Sequence, residues 1–295
     1  MFRHDSFEPR YLRHFLMGDP FHAQFMNTVA GVGGSLVRAR PENVGRIEVS
    51  LPPLPEQKRI ADILDKADAV RRKRQETNNL LDEYPHSLFR DMFGHPDQNP
   101  MNWPTHQFDD VAESRLGKML DAKQQTGKHL RPYMRNLNVQ WGKLDLSEVF
   151  EMDFAETHRE EFRLQFGDVL ICEGGAGVGQ TAIWRDELPE CYFQKSLHRV
   201  RPYPDKATPE FIAFLMWTLM KGSSLLGFIS SATIPHLTGV KLKQIRIPVP
   251  PMKLQQEFQR QIHTYNSARE HGRVAHTETD ALFNTLVQRA FKGEL

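Results

Sequence analysis

Cysteine is nearly absent: the 295 residues hold two, Cys172 and Cys191. Two thiols cannot build a disulfide framework, and no Cys-x-x-Cys or Cys/His cluster has the spacing of a zinc site. Long apolar runs are missing as well. The most apolar stretch, residues 211–220, is too short for the ~20 residues that a membrane-spanning helix requires. The first thirteen residues lack the apolar centre of a secretory signal. These absences lead to the expectation of a soluble, cytoplasmic protein. An excess of one charge sign is also lacking, since 38 Lys and Arg face 37 Asp and Glu. A protein that attracts polyanions by bulk charge is thereby excluded. Intrinsic disorder is excluded too, because 39% hydrophobic residues can supply the core of one large domain or two.

Catalytic signatures are equally scarce. The chain has no Asn-Pro-Pro-aromatic tetrapeptide, no phosphate-binding Walker loop and no Ser, His and Asp set in a recognisable local context. Its 13 histidines are scattered. Glu56, Gln57 and Lys58 spell a nuclease half-site, but they open a helix and have no suitably placed Pro-Asp partner. The run GGAGVG at residues 174–179 follows an expected strand, which invites a dinucleotide reading. A phosphate-cradling loop must open a helix, however, and this one leads into Thr181, Ala182, Ile183 and Trp184, a strand pattern. A hairpin turn lying close to a ligand backbone fits better. No catalytic residue, metal ligand or cofactor site is therefore expected within this chain.

What the sequence does contain is a repeat. Residues 47–93 align without gaps on residues 245–291, at an offset of 198: Ile47 on Ile245, Val49 on Ile247, Pro52 and Pro53 on Pro250 and Pro251, Gln57 on Gln255, Leu88 on Leu286, Phe93 on Phe291. Each copy opens with a short alternating strand (IEVSL or IRIPV) closed by a Pro-Pro pair that cannot continue a ladder. A long helix follows. In the first copy Ile60, Ala67, Leu81 and Leu88 hold one heptad position and Ile63, Val70 and Tyr84 the next. In the second, Phe258, Tyr265 and Leu286 hold one, with Ala268, Ala275 and Leu282 the other. Both seams are weak in the middle, so the helices are expected to pair antiparallel, with small Gly272 and Ala275 leaving room for Arg74. At 1.5 Å per residue, ~37 residues of helix make a spacer of roughly 55 Å. Pro85 should kink the first one. The plainer alternative is a pair of surface helices on a globular domain.

Four segments follow: 1–51, 52–94 (first spacer helix), 95–250 and 251–295 (second spacer helix). Segment 95–250 reads as mixed and strand-rich. Strands are expected at 168–172, 181–184, 198–201 and 244–249, and a helix at 209–220 with Thr208 as N-cap. The fold class is α+β, a strand-rich domain flanked by two long helices that form an antiparallel coiled-coil spacer. Charge is segregated along this domain. Residues 115–143 carry Arg115, Lys118, Lys123, Lys128, Arg131, Arg135 and Lys143 against Asp121 alone. Residues 145–161 carry Asp145, Glu148, Glu151, Asp153, Glu156, Glu160 and Glu161 against Arg159.

LRPYMRNLNVQWGKLD (130–145), FRLQFGDVLICEGGAGVGQ (162–180), residues 194–202 and 208–220, TIPHLTGVKLKQIRIPVPPMKLQQE (233–257), AFKGEL (290–295) and the earlier PLPEQKRI (53–60) together resemble the specificity subunits of type I restriction-modification systems. The resemblance implies target-recognition domains that each read one half of a split DNA sequence, held apart by helices that also dock methyltransferase subunits. It implies that S-adenosylmethionine, ATP and magnesium belong to the methyltransferase and restriction subunits, and that this chain does no chemistry. Residues 7–51 resemble only the end of a first recognition domain: residues 9–17 are similar to 209–216, and 34–47 correspond to 232–245. Self-pairing or a second specificity fragment would supply the remainder.

For double-stranded DNA, the basic stretch offers Arg131, Tyr133, Arg135, Asn136 and Asn138, whose alternate members would share one face of a strand, as base readers. Lys118 and Lys123 are expected to hold phosphates. A second cluster, Gln194, Lys195, Ser196 and His198, is expected on a turn after Phe193. Other readings stay open: a self-contained nucleotide-dependent or DNA-cutting enzyme, which cofactor binding or nicking by the isolated chain would favour, and a coiled-coil scaffold that ignores DNA or an inactive fragment of such a specificity subunit.

Overall fold

A computed structural model describes residues 6–30, 38–121, 125–222, 224–230 and 234–295. It divides into two compact units. The first comprises residues up to Glu83 together with Asn266–Leu295, and the second is Tyr84–Tyr265.

Two helices of 40 and 41 residues contribute one end to each unit. In chain order the helices are α1 (Pro9–Met17), α2 (Asp19–Met26), α3 (Pro41–Val44), α4 (Leu54–Phe93), α5 (Glu156–Phe162), α6 (Pro209–Lys221), α7 (Gly239–Gln244) and α8 (Met252–Lys292). The repeat thus appears as α4 and α8. Pro85 lies inside α4, which continues through it. None of the helices, among the described residues, is long and apolar enough to cross a membrane.

In the first unit the start of α4 meets the end of α8. Ile60, Ala61 and Leu64 bury against Val287 and Ala290, joined by Tyr11 and Leu12 of α1. Further along, Arg74 Nη1 donates to the Ala275 backbone carbonyl at 2.8 Å. Arg269 pairs with Asp82 at 2.6 Å. In the second unit the end of α4 meets the start of α8, with Phe89, Phe93, Phe258 and Ile262 buried together. Tyr84 and Tyr265 face each other at 5.7 Å. The pair is antiparallel at both ends.

Parts of the heptad assignment need correction. Val70 is 53% and Leu282 60% exposed, so neither lies in a seam. Ile63, Ala67, Leu81, Leu88 and Leu286 are half-buried, and Ala268 is exposed. A strict seven-residue count drifts ~20° per heptad on a straight helix. Over four heptads the counted stripe leaves the buried one, which runs through Ala61 and Leu64 at one end and Phe89 and Phe93 at the other.

The strands are β1 (Val29–Ala30), β2 (Arg38–Ala39), β3 (Thr105–Gln107), β4 (Ala112–Leu116), β5 (Leu130–Met134), β6 (Val139–Gln140), β7 (Lys143–Leu144), β8 (Phe150–Asp153), β9 (Val169–Cys172), β10 (Thr181–Ile183), β11 (Tyr192–Phe193), β12 (Leu197–Pro202) and β13 (Arg246–Pro248). The second unit is built on an antiparallel sheet ordered β10-β9-β12-β4 and a smaller sheet ordered β11-β5-β8. All four residues of β9 are buried, which suits a strand covered on both faces. On one side lies α6, whose Phe211, Ile212, Leu215 and Met216 join Val169, Ile171 and Val200. On the other, Leu170 and Cys172 join Met134, Trp184 and Phe193. Each such fully buried side chain contributes about 1.5–3 kcal/mol.

The strand expected at 244–249 is shorter, because residues 239–244 form α7 and only Arg246–Pro248 pairs, with Thr105–Gln107. Its counterpart IEVSL forms no ladder. In the first unit no described strand stands where β3 stands in the second, and a lone strand has no hydrogen bonds to hold it.

The two copies share one buried device. Gln57 Nε2 donates to the carbonyls of Ser6 (3.0 Å) and Pro52 (2.8 Å), while its Oε1 accepts from Glu8 N at 2.9 Å. Gln255 repeats this with Lys206 (3.0 Å), Pro250 (2.8 Å) and Thr208 N (3.0 Å). Glu8 and Thr208 are the N-caps of α1 and α6. In each unit, then, a glutamine in the first turn of the long helix ties the Pro-Pro bend to the N-cap of the preceding helix. Sequence alignment finds the matching glutamines but assigns them no task.

Candidate nucleic-acid interface

Four chain segments of the second unit converge beyond the ends of β9 and β12. The segment after β5 carries Arg135 and Asn136. The β9–β10 turn spans residues 173–180, the β11–β12 turn spans 194–196, and residues 234–238 precede α7. The turn at 174–179 joins two antiparallel strands, as a hairpin turn should.

Hydrogen bonds stitch these segments together. Asn136 N donates to Ser196 Oγ at 3.1 Å, and Ser196 Oγ donates to Gln194 Oε1 at 2.7 Å. Glu173 N reaches the Ser196 carbonyl at 2.9 Å, Leu237 N the Glu173 carbonyl at 2.8 Å, and Gly175 N the Pro235 carbonyl at 3.0 Å. His236 Nδ1 lies 3.2 Å from Glu173 Oε2. Asn136, Gln194 and Ser196 are half-buried, and Lys195 is exposed. The result is a hydrogen-bonded rim of polar side chains of both donor and acceptor character. Heads of this kind pair with base edges, and a fixed rim holds them to the geometry that base discrimination requires.

Sequence reasoning brings Asn136, Gln194, Lys195 and Ser196 to this rim. It misplaces others. Lys118 is 9% exposed, donates through Nζ to the Asp153 carbonyl and lies 5.1 Å from the Phe154 ring centre. Burial pushes its ammonium down, with the Asp153 charge opposing. A head used internally in this way does not reach a phosphate. Tyr133 is 5% exposed, because β5 turns it toward Met152, Phe154 and Tyr192. Asn138, 3% exposed, spends its amide on the carbonyls of Asp145 (2.9 Å) and Glu148 (2.8 Å) and accepts from Arg135 N (3.0 Å). His198 is not on the turn but in β12, 1% exposed, with Nε2 donating to the Leu237 carbonyl at 2.7 Å. Burial favours its neutral ring.

The two arginines are partnered. Arg131 lies 3.3 Å from Glu190, and Arg135 pairs with Glu148 while its guanidinium sits 3.8 Å from the centre of the Phe150 ring. The single-face pattern fails because β5 ends at Met134 and the next residues form a 3₁₀ turn. Lys123 lies outside the described residues. Glu173 and His236 are rim residues that sequence reasoning missed. Their signal was faint, one residue beside the glycine run and one histidine among thirteen.

No group of three or more His, Cys, Asp or Glu suited to a metal ion occurs among the described residues. Cys172 and Cys191 are buried, and burial pushes each thiol up to about 12. Neither is an activated nucleophile.

A family model, the type I restriction modification DNA specificity domain, matches residues 6–81 and 100–274. The chain belongs to this family. Its members are targeting subunits rather than catalysts. The two matched segments take in residues 47–81 of the first copy of the internal repeat and residues 245–274 of the second. The Type I restriction enzyme EcoKI specificity subunit of Escherichia coli (strain K12) is 21% identical over 312 residues, covering 97% of this chain. The chain spans 65% of the length of that curated relative. Among solved structures, the HsdS subunit from Thermoanaerobacter tengcongensis is 21% identical with a TM-score of 0.55, covering 98% of this chain and 71% of that one. A chain from a study of complex assembly and conformational transition of the type I R-M system gives 19% and 0.66, covering 99% and 73%. At such identities the structural likeness is one of fold. It extends through both long helices and agrees with the α+β class of this specificity chain.

Proposed function

We propose that this chain is a non-catalytic specificity subunit that reads one half of a split double-stranded DNA target and directs the methyltransferase and restriction subunits of a type I complex. In this reading residues 95–250 are the recognition domain and residues 1–51 the end of a first one. Segments 52–94 and 251–295 are the spacer that docks methyltransferase subunits. S-adenosylmethionine, ATP and magnesium act on those partners, in the cytoplasm.

The observation that carries it is the hydrogen-bonded rim of Asn136, Gln194, Lys195 and Ser196, polar heads held where four chain segments meet. Sequence is read by such heads on base edges, and phosphate contacts fix the register.

The test is to co-express the chain with the adenine methyltransferase of its own system and map methylated adenines. A defined motif is expected. A split motif would mean that another fragment supplies the second half, and a symmetric motif would mean self-pairing, because a two-fold dimer imposes its symmetry on the site. Methylation without any motif, or none at all, refutes the reading.

A further inference from the structure

The glycine turn at residues 174–177 has a feature that the fold does not use. Three of the four glycines between 174 and 179 have an internal reason to be glycine. At Gly174 a Cβ would stand 2.4 Å from His236 Nδ1. Gly175 has φ +81°. Gly179 has φ +79°, and a Cβ there would stand 2.7 Å from Met220 Sδ. Gly177 has neither reason. A Cβ there would meet only the tip of the Gln180 side chain, at 3.0 Å, and a flexible side chain can move aside.

The amides at this point are also unspent. Gly175 N, Val178 N, Gly179 N and Gln180 N all donate to backbone carbonyls. Among the described residues, the amides of Ala176 and Gly177 donate to no protein group. Ala176 is exposed. Two successive free amides in a turn, the second on a residue with no side chain, offer a pair of donors open to an anion. The turn borders the rim: Gly175 stands against the Asn136 side-chain amide, 3.9 Å from where a Cβ would be, and Gly174 against His236.

We propose that the amides of Ala176 and Gly177 grip one phosphate of the DNA backbone, with Gly177 keeping the approach open. The inference rests on the reading of this chain as a DNA-binding subunit. It adds a sequence-independent anchor that sets the register of the neighbouring Asn136 and Ser196 against the bases. Because the donors are neutral, the grip contributes affinity without releasing counterions as a lysine contact does.

The test measures binding of labelled duplexes, one with the mapped motif and one scrambled, to the full chain co-purified with its methyltransferase, from 50 to 200 mM salt. Gly177→Ala should weaken binding to both duplexes roughly tenfold, as expected for loss of hydrogen bonds to a charged group. The salt slope and the thermal midpoint should stay as in the wild type. Gln180→Ala should bind as the wild type, which separates a blocked phosphate from a displaced glutamine. If Gly177→Ala alone lowers the thermal midpoint, the comparison moves to Gln180→Ala against the Gly177→Ala/Gln180→Ala pair, where nothing in the fold opposes the added methyl. Unchanged affinity in the variant that folds overturns the proposal, as does a loss confined to one base position. A wild-type complex that binds neither duplex overturns the DNA reading itself and the grip with it.

Discussion

Replacing Gln255 by Ala tests how the second unit is joined to its long helix. The side chain is fully buried and makes three hydrogen bonds, two from its amide to the carbonyls of Lys206 and Pro250 and one to its oxygen from the Thr208 amide. Truncation removes all three and leaves the buried Pro250 carbonyl and Thr208 N–H without partners, together with the Lys206 carbonyl at the edge of the site. An intramolecular hydrogen bond contributes about 0.5–1.5 kcal/mol net, and each stranded buried group costs about 1–3 kcal/mol. The expected loss is therefore about 3–5 kcal/mol, since the relaxed site recovers part of the sum. For a domain of ordinary size this lowers the melting midpoint by roughly 6–20 °C. Urea unfolding followed by tryptophan fluorescence reads the second unit, because Trp103, Trp184 and Trp217 lie within it and only Trp141 joins them. Gln57→Ala is the internal control. It breaks the same three bonds in the first unit, is expected to cost a similar amount there, and should leave the fluorescence transition in place. A loss below about 1 kcal/mol for Gln255→Ala would show that the glutamine fills space rather than ties the bend to the cap, and the reasoning would fail.

Three further outcomes follow from the same structure. Burial pushes the Asp153 carboxyl up, but amides of His129, Gly127 and Thr126 outweigh it and hold the group below its ordinary value. A depressed carboxylate stabilises the fold above its unfolded pKa of about 3.9 and loses that contribution as pH falls through the lower folded value, so Asp153→Asn should be less stable at neutral pH and flatten the acid limb of a pH–stability curve. An unchanged acid limb would remove Asp153 as the group responsible. Lys195→Ala should lower the salt slope of DNA binding by ~0.9, while Lys118→Ala should leave the slope alone and lower stability, because only the first lysine is free to meet a phosphate. The reverse result would restore Lys118 as a phosphate contact. Alkylation of Cys172 and Cys191 near pH 8 should proceed only as fast as the second unit opens, since both thiols are buried and pushed up to about 12. Rapid labelling of the native chain would contradict their burial.

Much of the architecture was written in local patterns. The offset of 198 residues located both long helices, Thr208 with Pro209 marked the start of α6, and the strand pattern after residue 180 identified the glycine run as a turn. Those features are decided within a few residues of themselves. What could not be read depends on partners far along the chain. The strand status of residues 246–248 hangs on Thr105–Gln107, and IEVSL, with similar letters, pairs with no strand among the described residues. The work of Gln57 likewise needs Ser6 and Glu8, about fifty residues away.

The misreading of the basic stretch has a single physical cause. Its excess of positive charge was taken as a free patch because the compensating acids lie in the following stretch, out of reach along the chain. Folding brings the two together. Arg115 pairs with Glu161 and Arg135 with Glu148, while Arg131 is met by Glu190 from further on and Lys118 is drawn inside. Each exposed pair contributes no more than about 1 kcal/mol to stability, so this arrangement is poorly accounted for by stability alone. In the proposed reading its effect on recognition is larger. On that reading, with the arginines engaged the attraction of this domain for any duplex is reduced, and discrimination falls to the neutral heads at the rim, with the exposed Lys195 beside them to meet a phosphate. A reader of specific sequence gains from that division, because charge binds every sequence alike and only hydrogen-bond complementarity tells one from another. Releasing the charge should therefore cost selectivity: Glu148→Gln, which frees Arg135 beside Asn136, is expected to raise affinity for scrambled duplex more than for the mapped motif. Equal gains on both duplexes, or no gain, would show that the pairing of the two stretches has no part in recognition.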